Sequence, residues 1–275
     1  MAKNNNREKL DEVIDNLKPK EVKTLLQQLE APDATKKTFN HRFSGKHTKI
    51  GVISDLHIGA KSFDEDFFHL AMKEFKRQGV EAIYCPGDIL EGMSGRPGHI
   101  YELDQIGYEA QASKASQLID EAPTKIYGIT GNHDQWFQKK GDAGVDVGKD
   151  LEHRTKNFVN LGMNEADVKL SPAVTMKLFH AGDGSAYATS YKLQKLIESF
   201  TGGDKPNIVL SGHYHKALYT FVRNVHGYEC GTLCDQTEWM RGKKIPAHKG
   251  FWIIDVYKNK SGVEKTVNEF FPGYE

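Results

Sequence analysis

The sequence predicts an α/β fold: a four-layer α-β-β-α sandwich of two mixed sheets flanked by helices, with a short helical N-terminal extension. Three observations predict it. From Lys49 to Leu210, apolar β-type runs alternate with amphipathic helical stretches, the pattern of a parallel sheet covered by helices. From Ala217 onward the chain becomes strand after strand joined by short turns. Five of the apolar runs stop at clusters of Asp, Asn or His, and an open α/β sheet places its ligands beyond the carboxyl ends of its strands. Two sheets packed face to face with helices outside satisfy both halves of the chain.

The elements follow in order. Residues 1–45 form the extension and linker. Leu10, Val13, Ile14 and Leu17 repeat at helical spacing, as do Val22, Leu25, Leu26 and Leu29 after Pro19. The polar run from Asp33 to His47 reads as linker. The main domain, residues 46–275, opens with the strand ending Ile50-Gly51-Val52-Ile53. Asp64 to Gln78 carries helical apolar spacing and is stopped by Gly79. Ala82 to Pro86 is the second strand, and the Gly- and Pro-rich stretch Glu91 to His99 is a loop. Glu102 to Ile119 reads as helix, Lys125 to Thr130 as strand, and Gln138 to Lys149 as a mobile loop. Asn157 to Asn160 and Val168 to Leu170 are short strands, and Thr175 to Phe179 is a longer one. Ser190 to Phe200 is a helix ended by Gly202-Gly203, and Asn207 to Leu210 is a strand. Ala217 to Val225, Gly227 to Leu233, Gly250 to Tyr257 and Glu264 to Phe270 are antiparallel strands, with turns at Asn224 to Gly227 and Lys258 to Gly262.

Bulk properties narrow the partners. The 37 basic and 37 acidic residues cancel, which argues against a globally basic nucleic-acid coat and leaves room only for a local basic groove. Three cysteines, Cys85, Cys230 and Cys234, are too few and too odd in number for a disulfide framework, so they read as inert thiols of a reducing cytoplasm. No apolar run is long enough for a membrane span or a signal peptide.

The chemistry sits at the five strand ends. They are Asp55-Leu56-His57, Gly87-Asp88, Gly131-Asn132-His133-Asp134, His180 and Gly212-His213-Tyr214-His215. Together they offer carboxylate, amide and imidazole, a donor set suited to divalent transition metals. Each block alone has an ordinary explanation: Asp88 could cap a turn, and His180 could be a hydrogen-bonded core histidine. The five in order, each after an apolar strand, do not. In this order and spacing the chain resembles the calcineurin-like metallophosphoesterase superfamily over roughly residues 49–257. It is similar to the DNA-repair nuclease branch, in the form of a compact phage or microbial member. It departs from that pattern at His180-Ala181-Gly182, where the family often has His-Gly.

The resemblance implies a dinuclear centre. Asp55, His57 and His215 would hold one metal, Asn132, His180 and His213 the other, and Asp88 would bridge the two. A water between cations about 3.5–4 Å apart would lose its proton near neutral pH and attack phosphorus. His133 would assist the leaving group, with Asp134 orienting its imidazole. Manganese is the expected metal, with iron, zinc, cobalt or nickel as alternatives.

The remaining histidines, His41, His47, His69, His153, His226 and His248, read as surface or structural. Three loops are expected to line the mouth: Glu91 to His99 with Arg96 and His99, Gly182 to Lys195 with Tyr191 and Lys192, and Thr237 to Lys244 with Arg241. Bases mixed with aromatics suit a phosphate backbone and stacked bases. The expected activity is therefore phosphodiester hydrolysis on DNA. The competing expectations are a nucleotide or cyclic-nucleotide phosphodiesterase or phosphomonoesterase, and a non-catalytic metal-binding scaffold. The branch's added capping domain and docking helix are not evident after Tyr257, so action alone or as a homodimer, through the N-terminal helices or the sandwich, is expected. The expected setting is a bacterial or phage-infected cytoplasm.

Overall fold

A computed structural model describes residues 38–139 and 144–274. The helical pattern read over residues 10–29 lies outside the described residues. Six strands form one sheet: β2 (His47–Val52), β3 (Ala82–Cys85), β4 (Ile126–Thr130), β5 (Phe158–Met163), β11 (Gly250–Asn259) and β12 (Gly262–Pro272). Their order is β12-β11-β2-β3-β4-β5, with β2 to β5 parallel and β11 antiparallel to both its neighbours. The second sheet comprises β1 (Thr38–Asn40), β6 (Glu165–Ser171), β7 (Val174–His180), β8 (Ile208–Gly212), β9 (Ala217–Val222) and β10 (Val225–Cys230). Its order is β1-β6-β7-β8-β10-β9, with β7, β8 and β10 mutually parallel.

Helices complete the outer layers: α1 (Glu65–Gln78), α2 (Tyr108–Asp120), α3 (Trp136–Lys139), α4 (Val147–Arg154), α5 (Tyr191–Ser199) and α6 (Glu238–Lys243). One core lies between the sheets, joining Ile50, Val52, Tyr84 and Ile129 to Val168, Leu178, Leu210 and Tyr228. A second joins the first sheet to α1, α2 and α4 through Phe68, Phe75, Leu118, Ile119 and Leu151. A smaller third puts Leu193 and Ile197 of α5 against Val209 and Val225. Each large apolar side chain so buried contributes about 1.5–3 kcal/mol. These are the four layers the sequence predicted.

Local chemistry explains most boundaries. The Asp64 carboxylate caps α1 by accepting from the Phe67 amide, and Gly79 ends it in the left-handed region at φ 67°. Arg223 and Asn224 both take positive φ, 52° and 62°, making a two-residue hairpin turn between β9 and β10. That turn starts one residue and ends three residues before the expected Asn224 to Gly227. Two expectations move further. β1 lies inside the stretch read as linker and pairs with β6, so the sandwich begins before residue 46. Three residues are too short to show a strand period. The helix read from Glu102 starts only at Tyr108, because Gly107 at φ 87° breaks the backbone first.

One buried acid stands out in the second sheet. Glu229 of β10 is 1% exposed, and burial pushes its carboxyl up to about 8, partly offset by Lys216. An acid with a raised folded value stabilises the fold fully only below its ordinary value of 4.5, and the stability is lost as pH rises to about 8. Glu229→Gln is therefore expected to gain melting temperature over the parent as pH is raised from 5 to 8. Melting curves with an unchanged gap at both pH values would show that this carboxyl is not held protonated.

Candidate metal centre

The five ligand stretches leave β2, β3, β4, β7 and β8 at one end of the paired sheets. Their backbone is unusual. Asp55, His57, Asp88, His213 and His215 all take positive φ, between 49° and 88°. For residues with a Cβ this conformation is disfavoured, and strained backbone of this kind concentrates at functional sites. Two glycines make the close approach possible. A Cβ on Gly131 would stand 2.2 Å from Asp88 Oδ1, and one on Gly87 (φ 106°) would stand 2.3 Å from His180 Nδ1.

Three overlapping clusters converge among the described residues; two are joined by one carboxylate, and the third, His57, Asp88 and His133, overlaps both. Asp55, His57 and His215 form one, with His215 Nε2 3.5 Å from Asp55 Oδ1 and 3.0 Å from His57 Nε2. Asp88, His180 and His213 form the other, with His180 Nε2 3.2 Å from Asp88 Oδ2. Asn132 Oδ1 joins the second cluster, 3.0 Å from His180 Nε2 and 2.9 Å from His213 Nδ1. Asp88 Oδ2 also lies 3.8 Å from His57 Nε2, so it reaches both clusters.

Hydrogen bonds on the far side of each ring settle which nitrogen faces inward. His180 Nδ1 meets the Pro86 carbonyl at 2.8 Å, and His213 Nε2 meets the Asp183 carbonyl at 2.8 Å. Carbonyls only accept, so these nitrogens donate, and in the neutral ring the other nitrogen presents a lone pair. His57 Nδ1 likewise donates to Glu91 Oε2 at 2.7 Å. The lone pairs of His57, His180 and His213 are thereby turned toward carboxylate and amide oxygens. His215 Nδ1 is buried with no hydrogen-bond partner. Acceptors converging on acceptors repel one another, and cations between them relieve it. The residues therefore fit two divalent ions. Until an ion binds, protons serve: burial lowers His180, but the Asp88 carboxylate outweighs it and lifts the imidazole to about 9.

Asp55 and Asp88 are both fully enclosed. The Asp55 carboxylate accepts from Ser54 Oγ at 2.5 Å and the His213 amide at 2.8 Å, and burial raises its carboxyl above the usual range. Asp88 Oδ1 accepts the His133 amide at 2.9 Å. Burial opposes ionisation of Asp88, yet His180 and His133 pull its carboxyl below the usual range.

The expected role of Asp134 moves to another residue. Its carboxylate accepts from the amides of Ile89, Leu90 and Gly131 at 3.2, 2.8 and 2.8 Å. It ties the loop after β3 to the loop after β4 and does not orient the imidazole. His133 Nδ1 instead donates to the Glu91 carbonyl at 2.8 Å and lies 3.4 Å from Glu91 Oε2. Its ring rests on Trp136 at 3.9 Å between centroids.

His99 is also reassigned. It is 3% exposed, so it cannot meet substrate. Its Nδ1 accepts the Ser94 amide, and its Nε2 donates to Glu91 Oε1 at 2.7 Å. Glu91 therefore holds His57 with one oxygen and His99 with the other. Its only sequence signal is an acid three residues after Asp88, in a stretch read as loop because of its glycines and prolines. A carboxylate behind a metal-binding imidazole typically contributes 10–100-fold to metal affinity. Glu91→Gln is expected to weaken divalent-metal binding by about that factor. A metal titration with the parent's affinity would remove Glu91 from the centre.

The other substrate candidates are partly engaged. Arg96 donates to Glu102 at 2.5 Å, and its guanidinium lies 5.8 Å from the Trp239 ring centre, joining the first and third mouth loops. Lys192 is paired with Asp183 at 2.5 Å. Tyr191, at the start of α5, is half exposed, and Arg241, in the last turn of α6, is exposed. His248 supports the site from behind: its amide donates to the His215 carbonyl, and its Nδ1 accepts from Ala217. His41 packs at a tilt against Tyr127 and hydrogen-bonds Tyr84. All three cysteines are free and buried, with their thiols pushed up by burial, as inert groups would be.

Paired sheets carrying histidines, carboxylates and an amide on their strand ends, with one carboxylate reaching both clusters, form a site chemically suited to two divalent cations. Residues 48–239 match the family model of the calcineurin-like phosphoesterase superfamily domain, and the chain belongs to that superfamily. It is 24% identical over 234 residues to the DNA polymerase II small subunit of Methanothermobacter thermautotrophicus, covering 70% of this chain and 48% of that protein. The chain thus spans about half the length of that curated relative. Among solved structures it resembles an archaeal phosphodiesterase, with a TM-score of 0.47, 14% identity, and 82% of this chain and 100% of that one covered. It also resembles YfcE, a phosphoesterase from E. coli, with a TM-score of 0.44, 12% identity, and 80% and 98% covered. No helix among the described residues is long and apolar enough to cross a membrane.

Proposed function

We propose that the protein is a metal-dependent phosphodiesterase acting on nucleic-acid phosphodiester bonds, with DNA as the preferred polymer. The observation that carries this reading is the placement of His133 beside the shared carboxylate. Its amide is fixed on Asp88, its Nδ1 on the Glu91 carbonyl, and its ring on Trp136. Nε2 remains as the nitrogen for proton donation. Burial lowers this imidazole, but Asp88 and then Glu91 raise it to about 9 before cations enter, which favours the protonated ring. A poor alkoxide leaving group needs such an acid.

Asp55, His57, His215 and Asp88 would hold one cation, and Asn132, His180, His213 and Asp88 the other. When bound, the pair supplies charge for the phosphoryl oxygens and acidifies water at neutral pH. Manganese is the ion we expect, since mixed oxygen and nitrogen donors accept it along with iron, zinc, cobalt or nickel. Arg96 over Trp239, with exposed Tyr101 and Ile100 on the same loop, supports a surface for phosphates and stacked bases. The likeness to a DNA polymerase small subunit supports DNA over RNA.

The test is a paired assay of manganese-loaded protein on bis-p-nitrophenyl phosphate and p-nitrophenyl phosphate, followed by linear single- and double-stranded DNA. Turnover of the diester with degradation of DNA is the expected result. Monoester turnover alone, with DNA untouched, would make the protein a small-molecule phosphatase. Manganese-dependent thermal stabilisation without any turnover would make it a metal-binding scaffold.

A further inference from the structure

Beside the metal centre, on the outer face of the second sheet, lies a pocket of about 370 Å³. Such a volume is at the small end of ligand sites and suits one compact group rather than a length of polymer. Its position follows from the strands. Phe179 and Ser211 are register partners on β7 and β8, immediately before His180 and Gly212-His213. Leu196 of α5 closes the opposite side, and Ala181 to Asp183 run along the rim. The wall toward the metals is shared, because the Asp183 carbonyl accepts from His213 Nε2.

The lining is ordered by depth. Ser211 is 2% exposed, and its hydroxyl has no hydrogen-bond partner. Its register partner on β10 is Glu229, 1% exposed and outside the lining, whose Oε1 likewise has no partner among the described residues. An enclosed polar atom without a partner is costly, so the Ser211 hydroxyl at the pocket floor calls for a hydrogen-bonding ligand. Phe179 and Leu196 supply the apolar sides. The cations stay at the rim: Lys192 is held by Asp183, which Tyr214 also bonds, and Lys195 pairs only loosely with Glu198 at 3.7 Å.

A slot with apolar walls, a hydroxyl at its base and lysines at its mouth suits a flat, uncharged ring with donors and acceptors on its edge. The lysines keep any phosphate outside, next to the metal centre. We infer that this pocket, floored by Ser211 and walled by Phe179 and Leu196, binds the nucleobase of the nucleotide whose phosphodiester is cleaved. The inference rests on the phosphodiesterase reading of the neighbouring centre for the identity of its ligand. It assigns specificity to residues on β7, β8 and α5 that no metal requires.

The experiment separates the two readings. Metal-free protein is titrated with the four deoxynucleosides, which carry no phosphate, and amide shifts are followed by NMR. At least one nucleoside is expected to shift residues 179–183, 191–196 and 211–214. Ser211→Ala and the pocket-filling Leu196→Trp are each expected to weaken that binding at least tenfold while amides elsewhere keep their positions. With manganese, the KM for thymidine 5′-(p-nitrophenyl phosphate) is expected to rise at least fivefold in both variants, and kinetics on methyl p-nitrophenyl phosphate to stay unchanged. Nucleosides that bind nowhere, or that bind both variants as well as the parent, would overturn the pocket. Nucleosides that bind there, with neither ester hydrolysed, would sustain the pocket and sink the phosphodiesterase reading alone.

Discussion

Asp88→Asn is expected to lower diester turnover roughly a thousandfold or more, above the 10–100-fold typical of an outer-shell partner. Among the described residues Asp88 is the carboxylate that reaches both clusters, at 3.2 Å from His180 Nε2 and 3.8 Å from His57 Nε2. The amide keeps the size of the side chain and an oxygen to accept the His133 amide. What it loses is the negative charge between two sets of inward-facing lone pairs. Metal content should therefore fall below two ions per chain while the fold survives. Elemental analysis, circular dichroism and bis-p-nitrophenyl phosphate kinetics on one preparation read all three quantities. Near-normal turnover in a folded variant would refute a shared-carboxylate centre.

His133→Asn is expected to separate binding from chemistry. Both metals should remain, and the diester rate should fall by about 10²–10⁴, the usual contribution of a positioned acid or base. The loss should be larger for alkyl esters than for p-nitrophenyl esters, whose leaving group needs no proton. The pH profile carries a second signature. The imidazole must be protonated to act, so the parent rate should fall as pH rises through the His133 value, about 9 before cations enter. Cations beside Asp88 move that limb to lower pH by repelling the proton. In the variant the limb should vanish. Loss of an ion instead would mean that His133 is a ligand, an outcome the geometry makes concrete because His57, Asp88 and His133 also converge.

Much of the centre was legible because each ligand is adjacent in sequence to the strand that positions it. Asp55 and His57 follow β2, Asp88 follows β3, Asn132 follows β4, and His213 and His215 follow β8, so an apolar run ending in a polar block marks all of them. The Ala181 departure after His180 leaves the ligand in place, because the ring is held by the Pro86 carbonyl and not by its own loop. Glu91 escaped because its partners are distant: His57 lies 34 residues before it, and His99 is reached only after a glycine-rich turn. His99 was misjudged for the same reason. A histidine in a polar loop looks exposed until the chain folds over it.

The sequence by itself determined the class of fold, the layer count and the candidate metal-ligating residues, since strand period, helix period and strand-end chemistry are local properties. The tertiary structure decided which imidazole nitrogen faces inward, and that Glu91 rather than Asp134 attends His133. It also decided that β1 completes the edge of a sheet and that Ser211 floors a pocket. Each of these depends on which groups meet across the gaps between strands. A hydrogen bond's donor and acceptor are chosen by the partner that packing delivers, and no spacing along the chain records that partner.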